Sequence, residues 1–443
     1  MRLDPARIYL WSGLLWFGAM RAFWIALVVR VAIALQLTSL QLVLLGTAME
    51  LALLVSEVPT GVLADRFSRK WSIVLGFVGV GVAQVLAGVA ETFPLLVLTQ
   101  VLWGVMYTFR SGADAAWITD ELGGPEQVEA LILRRARLQQ VAAVVAIAVG
   151  AAVARFTTLS TAIVLTGLVL AVTGMVLALV MPERHGPRSR RTDDEGERED
   201  EATSAPADGA QGEEQGMVAT FTAGLAVVRR STPLRLLVAA TVIGGLGSEA
   251  IDRLDIRRLD DLGLSARVDE VVAVGVIAAV EALAGALILW WTRHRVAGAT
   301  VPLAFAVMTG LAAGAVALLG LVAVLPVAAL GLILQGGLRQ AAMPLAEAWA
   351  NAHAPSSVRA TVHSFVGQAD GIGQIVGGVA LGLVAATTTV PTAMSVSVAL
   401  MVVAALVAAR ARAVWPTTAS GGPSRFDRNH DSSYGLLDEG THG

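Results

Sequence analysis

The sequence predicts an all-α integral membrane protein of twelve transmembrane helices in two pseudo-symmetric six-helix bundles. Three observations carry that expectation: apolar runs of membrane length, charge confined to short turns between them, and a second half that echoes the first. Hydrophobic residues make up 55% of the 443-residue chain and charged residues 15%, where a soluble domain holds about a quarter charged. Mean hydropathy is +0.68. In water so much uninterrupted apolar sequence would form large exposed patches and aggregate.

A spanning helix needs about 20 mostly apolar residues. On that rule the first six spans fall near 8–29, 40–63, 71–90, 94–117, 129–154 and 160–181. The N-terminus lacks the short apolar core and small-residue cleavage site of a secretory signal, so span 1 reads as a retained helix. The charged turn 61–70 separates spans 2 and 3, and Trp117 closes span 4. Residues 183–216 are rich in Asp, Glu, Pro and Gly, bury no apolar face and are expected to be disordered. Residues 217–230 are suited to a short interfacial helix. The last six spans fall near 234–256, 268–291, 300–322, 325–349, 359–386 and 390–413. The domain expectation is therefore an N-terminal bundle at 1–182, a cytoplasmic linker at 183–233, a C-terminal bundle at 234–413 and a disordered cytoplasmic tail at 414–443.

Arginine accumulates on one set of turns, which places both termini in the cytoplasm. Arg2, Arg7, Arg134, Arg135, Arg137, Arg229, Arg230, Arg293, Arg295, Arg359, Arg410 and Arg412 all fall on that side, whereas Arg30, Arg155, Arg257, Arg258 and Arg267 fall outside. Net charge is −3, with no basic surplus to attract nucleic acid. Cysteine is absent, which excludes disulfides and thiolate chemistry. Histidines do not lie at metal-ligand spacing, and no HExxH, GxSxG or phosphate-cradling glycine loop is present, so no metal, cofactor or enzymatic activity is expected.

The halves match at intervals. Leu102, Gly104, Ala116 and Trp117 align with Leu334, Gly336, Ala348 and Trp349 at one constant offset. Glu57-x-x-x-Gly61 followed by Arg69 aligns with Glu281-x-x-x-Gly285 followed by Arg293. Repeated six-helix halves set a substrate site between them near the bilayer midplane.

Ionisable residues inside spans cost roughly 2.5–3.5 kcal/mol on insertion scales and normally face the bundle interior. At about 1.5 Å per residue, Arg21 and Glu50 reach similar depth and are expected to pair, with Glu57 two turns below Glu50. Glu281, Arg339 and Asp370 come out near mid-depth, and span 7 adds Glu249, Asp252 and Asp255 at intervals of three. A carboxyl in a low-dielectric cavity shifts toward its neutral form, which lets it carry a proton as access alternates. Glu50, Glu281 and Asp370 are the leading candidates for that role; a fixed Arg–carboxylate pair that only orients helices is the alternative. In span 11, Gln368, Asp370 and Gln374 stand among closely spaced glycines and offer hydrogen bonds to a cargo. Arg110 and Asp114, one turn apart, read as a local pair, and Asp120 and Glu121 as solvated.

The turn Gly61-Val62-Leu63-Ala64-Asp65-Arg66-Phe67-Ser68-Arg69-Lys70 packs one acid and three bases between two apolar runs; Lys70 is the only lysine. Its pattern GxLADRxxRK resembles the loop 2–3 signature of the major facilitator superfamily, a family of secondary transporters. The resemblance covers the whole chain through span number, central loop and repeated halves. It implies a cytoplasmic gate of Gly61, Asp65, Arg66, Arg69, Lys70, Arg110 and Asp114, in which Asp65 caps the start of span 11 and Arg69 lies near Asp114. The wider context, with SGADAAW, is similar to a bacterial subgroup grouped with drug:proton antiporters. That subgroup implies proton-coupled efflux of small amphipathic compounds by a monomer in the bacterial inner membrane, contacting only substrate, protons and lipids. Two positions depart from it: Gln100 stands where an Arg is expected in span 4, and span 5 has Gly150 but no proline. Uptake or facilitated diffusion of a polar metabolite, or lipid transport, is the alternative reading.

Overall fold

A computed structural model describes residues 4–66, 68–122, 125–182, 222–292, 295–355 and 358–415. Most of the expected linker (183–221) and the tail from 416 lie outside the described residues. Within lipid every backbone N–H and C=O needs an internal partner, and helices provide it. No strand occurs among the described residues.

The first half comprises α1 (Pro5–Val29), α2 (Ser39–Arg66), α3 (Arg69–Val89), α4 (Phe93–Ser111), α5 (Ala113–Leu122), α6 (Pro125–Phe156) and α7 (Leu159–Val180). A short helix, α8, occupies 222–230. The second half comprises α9 (Thr232–Asp261), α10 (Glu270–Thr292), α11 (Val301–Leu321), α12 (Leu325–His353), α13 (Arg359–Thr387) and α14 (Val390–Arg410). Side-chain oxygens open several of these helices. Ser68 accepts from Trp71 N at 3.1 Å, Thr158 from Thr161 N at 3.1 Å and Thr389 from Thr392 N at 3.2 Å.

Among the described residues, eleven helical segments are long and apolar enough to cross a membrane. α12 is as long, at 29 residues, but carries Gln335, Arg339, Gln340 and Glu347 and falls short of that apolarity. It packs against α10 and α11. Span 4 is not one continuous rod: the chain breaks at Gly112 and resumes as α5. Small residues let the helices close up. A Cβ on Gly81 of α3 would lie 2.6 Å from the Gly167 carbonyl of α7, and one on Gly331 of α12 would lie 2.6 Å from the Ala315 carbonyl of α11.

The repeat is visible as paired devices. Arg30 is buried at the end of span 1 and donates to the Ala87 carbonyl at 3.0 Å near the end of α3. Arg258 is buried near the end of α9 and donates to Leu319 and Val322 carbonyls, both at 3.3 Å, at the end of α11. Each arginine caps the exposed carbonyls of a helix end, where the dipole favours a cation. Both lie at the end of the bundle away from Pro5 and Val414, the side on which the sequence places them, and the carbonyls satisfy them there. Trp117 donates to the Pro182 carbonyl at 3.0 Å where α7 ends, and Trp349 stands 6.2 Å from Trp415 where α14 ends.

Glycine contacts correct one alignment. Gly104 of α4 meets Met49 and Ala52 of α2, whereas Gly336 of α12 meets Glu281 of α10. The first-half counterpart of Glu281 therefore lies near 49–52, two turns from Glu57.

The halves touch at one end only among the contacts described. Gly378 and Gly382 of α13 pack on Val43, and Gly275 of α10 packs on Ile147 of α6. Arg155 and Asp269 approach to 4.0 Å on the same level. These residues lie toward the start of α2 and the end of α13, the end of the bundle away from Pro5 and Val414. At the opposite end, Gly61, Gly367 and Gly371 have open space where a Cβ would stand. The molecule is open on the side that carries its described termini.

Gly81→Val is expected to force α3 from α7 and to cost about 1–3 kcal/mol through overpacking. A lowered unfolding temperature of the purified protein in detergent checks this, with Gly61→Val as the neutral control.

Candidate functional site

Ionisable side chains gather in two places. The first lies in the N-terminal half, near the open end. Asp114 of α5 accepts from Arg110 at 2.8 Å and from Arg135 of α6 at 2.6 Å. Arg110 is buried, 4.3 Å from the ring centre of Trp16, and Arg135 stands 3.8 Å over Tyr9. Cation–π contact and one shared carboxylate thus hold two arginines between α1, α4, α5 and α6. Gly13 leaves the space that Arg135 fills, since a Cβ there would lie 2.6 Å from its Cδ.

The expected gate is rearranged around this cluster. Arg69 pairs with Asp120 and donates to the Ala116 carbonyl at 3.3 Å, so it does not share Asp114. Asp120 is accordingly paired rather than merely solvated. Asp114 is already committed to Arg110 and Arg135, and Asp120 lies two helical turns along α5 within Arg69's reach. Lys70 lies 5.6 Å from the Trp71 ring, and Gly61 is exposed. The side chains of Asp65 and Arg66 lie outside the described residues.

The second cluster is deep in the bundle and joins both halves. On α9, buried Glu249 accepts from Arg253 at 2.9 Å. Asp252 holds Arg339 of α12, whose Nη1 donates at 2.6 and 2.7 Å to its two oxygens. Asp370 of α13 accepts from Gln374 at 2.7 Å, and Glu281 of α10 from Gln340 at 3.1 Å. Glu50 of α2 is half-buried within the electrostatic field of Glu249, Arg253, Asp252 and Asp370. Asp255 adds a sixth acid, its carboxylate accepting from Ile256 N at 2.6 Å.

Three expected members do not join. Arg21 makes no ion pair with Glu50; it lies 5.2 Å from the Phe17 ring and faces α10. Equal depth does not fix facing direction: Glu50 turns to α9 and Arg21 to α10. Glu57 is exposed and outside the cluster. Gln368 is half-buried and does not line the cavity.

That cavity, about 410 Å³, is lined by the second half alone rather than by both halves. Phe305, Met308, Leu338, Met343, Val366 and Met401 give it apolar walls, while Gln335, Arg339, Glu347, His363 and Asp370 supply polar atoms. The side-chain nitrogen of Gln335 is buried and unpartnered. His363 bonds Asn351 at 2.8 Å near the mouth.

Sequence reasoning missed Arg253, Arg135, Gln335, Glu347 and His363 as site residues. Arg253 had a signal: it follows Glu249 by four within an apolar span, so the two share a face. Arg135 had none, because its partners Tyr9 and Asp114 come from other helices.

The described cluster holds six acids (Glu50, Glu249, Asp252, Asp255, Glu281, Asp370) and two arginines (Arg253, Arg339), with Arg21 close enough to act on Glu281. Even with Arg21 counted, acids outnumber bases six to three among these described residues. No group of three metal-ligating side chains occurs among the described residues.

The family model described as Major Facilitator Superfamily matches residues 10–322. Among solved structures, a bacterial homolog of the human lysosomal transporter Spinster, inward-facing and unoccupied, superposes with a TM-score of 0.68 at 16% identity. That match covers 93% of this chain and 98% of the other. The nucleoside transporter NupG gives 0.70 at 13% identity, covering 92% and 99%. A POT family transporter in complex with 5-aminolevulinic acid gives 0.66 at 13% identity, covering 90% and 94%. At these identities the likeness is one of fold. No curated protein matches the sequence.

Asp114→Asn is expected to destabilise the first half by about 3–5 kcal/mol, because it leaves two buried arginines without their carboxylate. Thermal unfolding in detergent checks this. Adding Arg110→Met to the variant should recover part of the loss.

Proposed function

Because the chain belongs to the Major Facilitator Superfamily, we propose that it is a proton-coupled secondary transporter that exports small amphipathic compounds. The observation that carries this reading is the second-half cavity, with its apolar walls, its Arg339–Asp252 pair and the surplus of neighbouring carboxylates. Apolar walls suit the body of an amphipathic cargo. Surplus carboxylates suit proton exchange, since protons balance them when no cargo does.

The bundles 1–182 and 234–413 act as two rocking bodies joined by the 183–233 linker. Both termini and the 414–443 tail face the cytoplasm of a bacterial cell, with the chain a monomer in the inner membrane. On that orientation the cavity opens inward, where an exporter loads. Arginine on the termini-side turns supports the assignment. The 61–70 turn serves as the cytoplasmic gate: Arg69 and Lys70 approach the second half when the open end closes, and the Arg110–Asp114–Arg135 cluster keeps the first half stiff beneath them.

Uptake or facilitated diffusion of a polar metabolite is the second reading, favoured by the unpartnered amide nitrogen of Gln335 facing the same cavity. Flux in proteoliposomes separates the two. For a proton-coupled exporter, Glu50→Gln, Glu281→Gln or Asp370→Asn is expected to abolish accumulation driven by a pH gradient, while cargo counterflow continues. Gradient-independent flux that all three variants leave untouched would favour the uniporter.

A further inference from the structure

Arg21 is the one cation of the mid-membrane region without a carboxylate partner among the described residues. It forms no ion pair or hydrogen bond, and its closest described contact is the face of Phe17 at 5.2 Å. An unpaired guanidinium in the middle of a span is costly unless water or a ligand compensates it. It is also exposed, on the wall of a pocket of about 240 Å³ shared with Phe17, Met20, Trp24 and Ile25 of α1 and Ala278 of α10. Ala278 belongs to the second half, so this pocket bridges the halves. It is distinct from the 410 Å³ cavity, with which it shares no lining residue.

From this geometry we infer that the α1–α10 pocket binds an anionic group, carboxylate or phosphate, carried on an apolar body. The guanidinium takes the anion through paired N–H donors. The ring faces of Phe17 and Trp24, with Met20 and Ile25, take the apolar part. The carrier is either a membrane lipid or a soluble organic anion, since both present the same chemistry. Binding is read without a transport step, so the inference stands or falls separately from proton-coupled export.

The test uses full-length protein in neutral detergent, with dibromostearate as the probe, because bromine quenches nearby indoles and Trp24 lines the pocket. Wild type is expected to show saturable quenching, and Arg21→Gln to weaken half-saturation by at least about tenfold. Arg21→Lys should fall between them. Ala278→Phe keeps the charge but fills the pocket, and is expected to weaken binding likewise; it guards against misfolding of the Arg21 variants. The uncharged methyl ester of the probe should not distinguish wild type from Arg21→Gln. Displacement by phosphatidylglycerol identifies a lipid as the carrier, and displacement by naphthoate identifies a soluble anion. Equal quenching of wild type, Arg21→Gln and Ala278→Phe, equal affinity for acid and ester, or displacement by neither competitor would overturn the inference.

Discussion

A single turn of α9, from Glu249 to Arg253, constrains most of the architecture around it. Glu249 and Arg253 satisfy one another at 2.9 Å and stand against Gly46 of α2 and Gly378 of α13, where the halves meet. A Cβ on Gly378 would lie 3.0 Å from the Cγ of Glu249, so the glycine gives the acid its room. Arg253 also lies 5.7 Å from the Trp24 ring, which ties α1 into the same seam. Asp252, on the adjoining face, reaches away to Arg339. One buried ion pair, Glu249–Arg253, and one partly exposed pair, Asp252–Arg339, thus share one helical turn. Removing one partner of the buried pair leaves an uncompensated charge worth about 3–5 kcal/mol, so the relative placement of α2, α9 and α13 is dictated by charge as much as by packing.

The two halves have the same plan and different contents. Each caps a peripheral helix with a buried arginine and sets a tryptophan where its last helix ends. Their charges then diverge. The first half commits Arg110 and Arg135 to Asp114 and to aromatic faces. The second half leaves carboxylates in excess and an amide nitrogen without a partner, beside a cavity wide enough for a small organic molecule.

Fold class was legible because its signal is long-range and redundant: membrane-length apolar runs leave no soluble alternative. Rise per residue set Glu281, Arg339 and Asp370 at a common height, and all three come close to the same cluster. Direction around the helix was not legible. Arg21 and Glu50 were matched for height and face different neighbours. Glu57 and Glu281 matched by spacing from glycine, yet the contacts of Gly104 and Gly336 set them two turns apart. The partner of Arg69 was misassigned because Asp114 and Asp120 lie on one short helix, and which acid is free depends on Arg135, a residue from a third helix. That Arg30 and Arg258 cap helix ends was not legible, because a helix-end carbonyl is invisible in a list of side chains.

Height and face together explain how cavity and seam can communicate. Asp252 and Arg253 are neighbours in sequence, one pointed at the cavity arginine and the other at the contact between halves. Coulomb interaction scales inversely with distance and dielectric, so a charge change at Arg339 reaches neighbouring Arg253, screened in part because the Arg339–Asp252 pair is partly exposed. No long chain of packed intermediates is needed; one turn of helix carries the effect, and its rigidity is what makes the two sites respond to each other.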